Sequence, residues 1–321
     1  MDDMIAFVQF IHPGVESLPK RRSKTDLIPW NRGSHKRKVL CHPGWYVDNG
    51  QLVHDDELTF WGEWEPQSRF TRLDNPKEDR SLPHVIHRPV LDLNEPKYDS
   101  LKRCRQNTDP FVFHERFLYR CCKQITATGP TQLAHLLPGS IVLFGSKVKE
   151  QSGSSENERF GIDTVFVVGE DFRDYHNRKG GLDFDPNLRE YAEIVGVGLK
   201  SLGSGNCSGC GGYSRCGNTP SQMRLYYGAS PEKPYEGMYS FVPCKRLSDD
   251  AQGWARPTLT QDDMRDIYAN CITDNLSQGR KYCEDVTLEN NIKAWNRIRE
   301  IFAERGYLEG VKFECPQDGT V

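Results

Sequence analysis

Three cysteines lie within ten residues in Gly205-Asn206-Cys207-Ser208-Gly209-Cys210-Gly211-Gly212-Tyr213-Ser214-Arg215-Cys216-Gly217. The spacing is C-x2-C-x5-C. A C-x-x-C loop turns two thiolates toward one point, and the glycines allow the tight backbone this requires. The chemistry expected is a zinc site held by Cys207, Cys210 and Cys216, with a fourth ligand from elsewhere. Cys244, at the end of an apolar segment, is the first choice, and Cys41 with His42 the second. Four protein ligands would make the zinc structural. Three would leave a position for an activated water.

The second candidate is Trp61-Gly62-Glu63-Trp64-Glu65-Pro66-Gln67-Ser68. On a strand, Glu63 and Glu65 share one face and Trp64 takes the other. Paired carboxylates among aromatics have the raised affinity for protons that general acid–base chemistry needs. The plainer alternative is a solvent-facing acidic edge. Gly62 would permit close approach of a ligand. Asp163 stands inside the β-branched run Gly161-Ile162-Asp163-Thr164-Val165-Phe166, where a carboxylate must be paired or exposed. Asn107-Thr108-Asp109-Pro110 offers donors and acceptors suited to a base edge. Phe111, Phe113 and Trp61 could stack on that base, although Asp-Pro is also a common turn.

A basic stretch contains Lys20, Arg21, Arg22, Lys24, Arg32, Lys36, Arg37 and Lys38, opposed there only by Asp26. It reads either as a solvated loop or as an arm whose cations displace counterions from a nucleic-acid backbone. Arg21, Arg22, Lys36, Arg37 and Lys38 are the candidate backbone contacts. Trp30, His35 and Trp45 lie among or near them.

These groups need elements to position them. Strands are expected at Ile5–Phe10, Leu58–Pro66, Phe111–Phe113, Ser140–Gly145, Phe160–Val168, Ala192–Leu199, Met223–Tyr227 and Met238–Pro243. Ser140–Gly145 and Phe160–Val168, joined by a polar linker, predict an antiparallel hairpin. Thr131–Leu137 predicts a short helix that stops at Pro138-Gly139, and Arg69–Asp99 predicts a loop. Thr260 with Asp262 and Asp263 marks a helix start. The stripe Ile292, Trp295, Ile298 and Phe302 predicts a core-packed helix over about 288–305, capped by Gly306.

With 321 residues, 27% charged, 11% aromatic and a net charge of −3, the chain reads as one folded α+β domain over 1–321. Its parts are a basic arm at about 12–45, a zinc loop at about 203–218 and a helical part at about 260–310. No apolar run approaches the roughly 20 residues of a membrane helix, and Met1-Asp2-Asp3-Met4 lacks a signal-peptide pattern. A cytoplasmic protein is expected, with its eleven cysteines serving as ligands, reactive thiols or packing rather than as a disulfide framework. Phosphate-loop, dinucleotide, H-x-E deaminase and G-x-S-x-G motifs are absent.

Thr131–Leu137, the Pro138-Gly139 turn and Ser140–Phe144 resemble the helix-turn-strand of PUA-like barrels, which include the ASCH and EVE modules. The resemblance covers about a tenth of the chain, and Ser140 stands where an acidic residue is common. It implies a mixed or antiparallel barrel core with a cleft for RNA or modified DNA bases. Together with Trp61–Ser68, Asn107–Phe113 and Ile162–Val168, the chain also resembles proteins of bacterial 7-deazaguanine DNA-modification systems. One such enzyme hydrates the nitrile of 7-cyano-7-deazaguanine in DNA to the amide.

That resemblance implies a zinc-containing enzyme acting on DNA, or RNA, with other proteins of a modification system as partners. Glu63, Glu65 and Asp163 would carry the acid–base work, and Trp61, Asn107, Asp109 and Phe111 would hold the base. The alternatives are a non-catalytic reader braced by zinc and a magnesium-dependent nuclease.

Overall fold

The computed structural model describes residues 2–31, 35–73, 82–91, 108–120, 122–126, 129–149, 158–176, 191, 222–249, 255–269, 276–277 and 279–316. The cysteine loop, Asn107 and the strand expected at 192–199 lie outside them.

Alternating apolar side chains build the first sheet. Its strands are β1 (Phe7–His12), β6 (Ile141–Lys149), β7 (Glu158–His176), β8 (Gln222–Gly228) and β10 (Gly279–Tyr282). The order is β10-β1-β6-β7-β8, with Leu118–Tyr119 beyond β8 and Thr258–Leu259 against β7. β1 and β6 are parallel; the other pairs are antiparallel. In β1, Val8 and Phe10 face one core while Phe7 and Ile11 face another. Val142 and Phe144 alternate in the same way with Ile141 and Leu143 on β6. Both faces are covered, so these strands read as nearly continuous apolar runs.

The second sheet contains β2 (Lys38–Asp48), β3 (Gln51–Gly62), β4 (Ser68–Arg72), β5 (Val85–Pro89), β9 (Val242–Arg246) and β11 (Leu308–Phe313). The order is β11-β9-β3-β2-β5-β4, ending on Leu27–Ile28, and β11 also pairs with β2. Leu40, Leu58, Phe60 and Trp64 from this side meet Val8, Phe10, Phe144 and Phe166 in one core between the sheets. The other face of the first sheet is covered by helices α1 (Gln261–Ile267) and α2 (Leu288–Glu304).

The expected α+β class is present, as mostly strand with few helices. The described strands form two large sheets and a two-stranded ribbon, Ile125–Thr126 with Gly129–Pro130, rather than the expected barrel. The β6–β7 hairpin is antiparallel, as its sequence predicts. Thr260 caps α1 with a reciprocal capping box to Asp263. Trp295, Ile298 and Phe302 are buried on α2, and Gly306 follows with φ +71°. The helix expected at Thr131–Leu137 is a single 3₁₀ turn, Gln132–Ala134, capped by Thr131. The segment Arg69–Asp99, expected to be loop, contains most of β4 and all of β5. Their charged outward residues hide the alternation.

Cys41, Cys122, Cys244 and Cys315 are outside any disulfide, but Cys283 is disulfide-bonded, which the reading of the cysteines as ligands, reactive thiols or packing does not include. Among the described residues, no helix is long and apolar enough to cross a membrane.

Candidate functional site

Charged side chains gather where β1, the start of β2, the end of β3 and the middle of β7 meet. β3 ends at Gly62, paired with Lys38 at the start of β2, so Glu63 and Glu65 follow directly beside Arg37. The alternation continues past the strand. Trp64 turns into the core against Phe113, at 4.8 Å between rings, while Glu63 and Glu65 turn the other way. Their exposures are 6% and 1%, which excludes a solvent-facing acidic edge.

Both carboxylates converge on one atom, Nδ1 of His35. Glu63 Oε1 contacts it, and Glu65 Oε1 lies 2.9 Å away. Asn31 Nδ2 donates to Glu65 Oε2 at 2.5 Å, and the Glu65 backbone N–H donates to Thr108 Oγ1 at 3.0 Å. His12, the last residue of β1, brings its Nδ1 to 3.3 Å from Glu63 Oε2. That approach is close but out of line, and neither His12 Nδ1 nor Glu63 Oε1 has a well-formed hydrogen bond.

A second layer fixes the first. Arg37 Nη1 lies 3.4 Å from Glu63 Oε2 and 3.2 Å from Asp163 Oδ2, and Arg37 Nε donates to the Pro13 carbonyl at 3.0 Å. Arg256 Nη2 donates to Asp163 Oδ1 at 2.7 Å. Asp163 reaches this position through a β-bulge. The β6–β7 register jumps from Phe144↔Thr164 to Gly145↔Ile162, leaving Asp163 as the extra residue. Such a bulge re-aims one side chain without ending the strand. Close packing nearby depends on two glycines. A Cβ on Gly145 would stand 2.0 Å from the Gly161 carbonyl oxygen, and one on Gly161 would stand 2.6 Å from Arg256 Nε.

Burial and charge set the protonation of the cluster. Burial opposes charging His35, but Glu63 and Glu65 outweigh it and hold the ring up to about 10. Burial, reinforced by Arg37, pushes His12 down to about 4. Burial would raise Glu63, yet His35 and Arg37 hold it well below the usual carboxylate range. Glu65 is raised, chiefly by burial and also by Glu63. Burial pushes Lys38 down to about 8 against the pull of Glu65.

The structure thus brings together Glu63, Glu65 and Asp163 with four groups not anticipated as members of the site: His12, His35, Asn31 and Arg256. His12 ends an apolar strand, and that polar stop is its only sequence signal. Arg37 and Lys38 require correction as backbone contacts. They are 1% and 2% exposed and are engaged inward, Lys38 Nζ donating to the Pro66 carbonyl at 3.4 Å. Arg21 and Arg22 are exposed and Lys36 is half-buried.

Of the expected base-holding residues, Asn107 lies outside the described residues, and Trp61, Asp109 and Phe111 are all buried. Phe111 is wholly buried in the inter-sheet core. Asp109 accepts hydrogen bonds from the backbone N–H groups of Arg120 (3.0 Å) and Cys122 (2.7 Å), which makes it a turn-fixing residue. Trp61 is buried, with the Arg256 guanidinium 5.1 Å from its ring centroid. Cys244 lies in the core, and Gly310 on β11 packs so close that a Cβ there would be 3.0 Å from the sulfur. Among the described residues, the one group with metal-ligand geometry is His35, Glu63 and Glu65, not a cysteine set.

No family model, curated protein or solved structure matches the chain.

Proposed function

We propose that the chain is a nucleobase-directed enzyme that activates water at the His35–Glu63–Glu65 centre. The observation carrying this reading is the convergence of two buried carboxylates on one imidazole nitrogen. Buried carboxylates beside a histidine are the parts a water-adding reaction requires. The substrate comes from the resemblance: the nitrile of a 7-cyano-7-deazaguanine base in DNA. In that reaction the water oxygen bonds to the nitrile carbon and gives a proton to Glu63. Glu65 gives a proton to the nitrile nitrogen, and the resulting imidic acid tautomerises to the amide. One water is added, and no electron donor or acceptor is needed. His35 and Arg37 hold Glu63 in place, and Asn31 and Thr108 hold Glu65.

The exposed Lys20, Arg21, Arg22 and Lys24 supply the cationic approach for DNA. The PUA-like likeness is proposed only for Thr131–Phe144, where a helical turn, the Pro138-Gly139 turn and β6 follow in order. A zinc staple at Cys207, Cys210 and Cys216 belongs to the same proposal.

The test is incubation with a DNA duplex carrying the nitrile base, followed by nucleoside digestion and mass measurement. Gain of one water by wild type, lost in Glu63→Gln and Glu65→Gln while DNA binding persists, supports the reading. Binding without conversion in wild type would make the protein a reader. Magnesium-dependent strand cleavage would make it a nuclease.

A further inference from the structure

We propose that the buried cluster of His35, Glu63 and Glu65 binds a divalent first-row transition metal, with His35 Nδ1 and the two carboxylates as ligands and His12 beside them. Its ligands include none of the loop cysteines, and it rests on the reading above only for its substrate.

Ligands held about 2.1 Å from one ion lie roughly 3–4 Å from one another. The candidate atoms of His35, Glu63 and Glu65 all fall within 4.8 Å of one another. Two separations are near that range, 2.9 Å from His35 Nδ1 to Glu65 Oε1 and 3.3 Å from His12 Nδ1 to Glu63 Oε2, whereas His35 Nδ1 and Glu63 Oε1 stand closer and would have to part to admit an ion.

Hydrogen bonding alone does not account for this arrangement. A ring nitrogen carries at most one proton, yet His35 Nδ1 faces oxygens of two carboxylates at once. His12 gives independent evidence. Its ring is buried, and its Nδ1 lies 3.3 Å from Glu63 Oε2 without a well-formed hydrogen bond. Glu63 Oε1 likewise has no well-formed hydrogen bond. Leaving buried polar atoms unpaired costs free energy, and an ion between them would satisfy all of these atoms together.

The donor set gives the class of ion. An imidazole with two carboxylates suits zinc, iron, manganese or cobalt in the divalent state, whereas magnesium and calcium prefer all-oxygen sites. The surroundings already have the form of an outer shell. Asn31 donates to the far oxygen of Glu65, and Arg37, itself fixed by Asp163 and the Pro13 carbonyl, flanks Glu63. Such partners orient ligating carboxylates. With an ion in place, its charge would acidify the bound water in place of a free carboxylate base.

The experiment uses Co²⁺ as probe on metal-stripped full-length protein, both wild type and Cys210→Ser. The expected result is uptake of one Co²⁺ per chain by Cys210→Ser. Its visible spectrum should lack the intense sulfur-to-metal band of thiolate ligation. His35→Ala and Glu65→Gln, placed in the Cys210→Ser background, should weaken uptake by at least about tenfold, the size of even an outer-shell loss. No uptake by folded Cys210→Ser overturns the proposal, as does uptake unchanged by His35→Ala and Glu65→Gln.

If those variants fail to fold, X-ray absorption on Zn²⁺-loaded wild type decides. A nitrogen and oxygen shell beside any sulfur supports the site, and a shell of sulfur alone overturns it. Metal bound here without conversion of the nitrile base would sink the functional reading and leave the site standing. Metal-free conversion would do the reverse.

Discussion

Arg37 and Asp163 form a buried ion pair across the two sheets, Nη1 to Oδ2 at 3.2 Å, each less than 4% exposed. Asp163 also takes Arg256, and Arg37 also takes Glu63, so the pair links the centre to the bulge in β7. Removing one partner of a buried pair leaves an uncompensated charge, which costs more than the pair itself contributes. Asp163→Asn should therefore destabilise the fold by about 3–5 kcal/mol, read from the denaturant midpoint. Asp163→Asn with Arg256→Met should recover part of that loss, because one stranded guanidinium is gone. A double variant no better than the single one would show that the pairing does not act this way.

Gly145→Ala should be among the most damaging single-methyl additions. Its Cβ would meet a backbone oxygen 2.0 Å away, and strands β6 and β7 would have to part. Overpacking of this kind costs about 1–3 kcal/mol or more. Gly62→Ala is the control. Its nearest neighbour would be Leu40 Cδ1 at 3.5 Å, an ordinary contact. Thermal unfolding should separate the two clearly, and equal melting temperatures would refute the argument.

Charge inside apolar sequence makes the carboxylates legible. Glu63, Glu65 and Asp163 stand out because each interrupts a run that has to be buried. Their partners are not legible, because His12, His35 and Arg256 come from segments far apart in the chain and meet only through the packing of the sheets. The basic arm misleads for a related reason. A run of cations usually faces solvent, yet Arg37 and Lys38 turn inward because the end of β3 presents carboxylates beside them. The aromatics after Asp109 are legible as apolar residues, but a stacking role needs an exposed face, and sequence does not reveal exposure. Continuous apolar runs locate β1, β6 and β7, and capping and periodic signals locate α1 and α2, while the charged strands β4 and β5 carry no comparable pattern.

The division of the arm into outward and inward cations gives a prediction for DNA binding. Arg21→Gln with Arg22→Gln should weaken affinity for duplex DNA and reduce the salt slope by about one for each phosphate that is no longer neutralised. Lys38→Met should leave that slope unchanged, since its ammonium is buried against the Pro66 carbonyl. Titrations at several salt concentrations measure both. A slope that responds to Lys38→Met and not to the arginines would reverse the assignment.

Acid should unfold the protein in part through His87. Its ring is buried; Ser68 Oγ bonds to Nδ1 at 3.1 Å and the Ser17 carbonyl lies 3.1 Å from Nε2. That arrangement suits the neutral ring, which donates from Nε2 and accepts at Nδ1. Burial, with the Lys38 charge nearby, pushes the group down to about 3 from an ordinary 6.5. The folded state therefore binds a proton less readily than the unfolded chain. The stabilisation is complete above about pH 6.5 and is lost as pH falls toward 3, at a limiting slope of about 1.4 kcal/mol per unit for this one group. His87→Gln should be less stable at neutral pH and should show a shallower acid limb, because no ring remains to be protonated. Denaturant midpoints measured from pH 7 to pH 4 test this, and parallel limbs for the two proteins would place the acid sensitivity elsewhere.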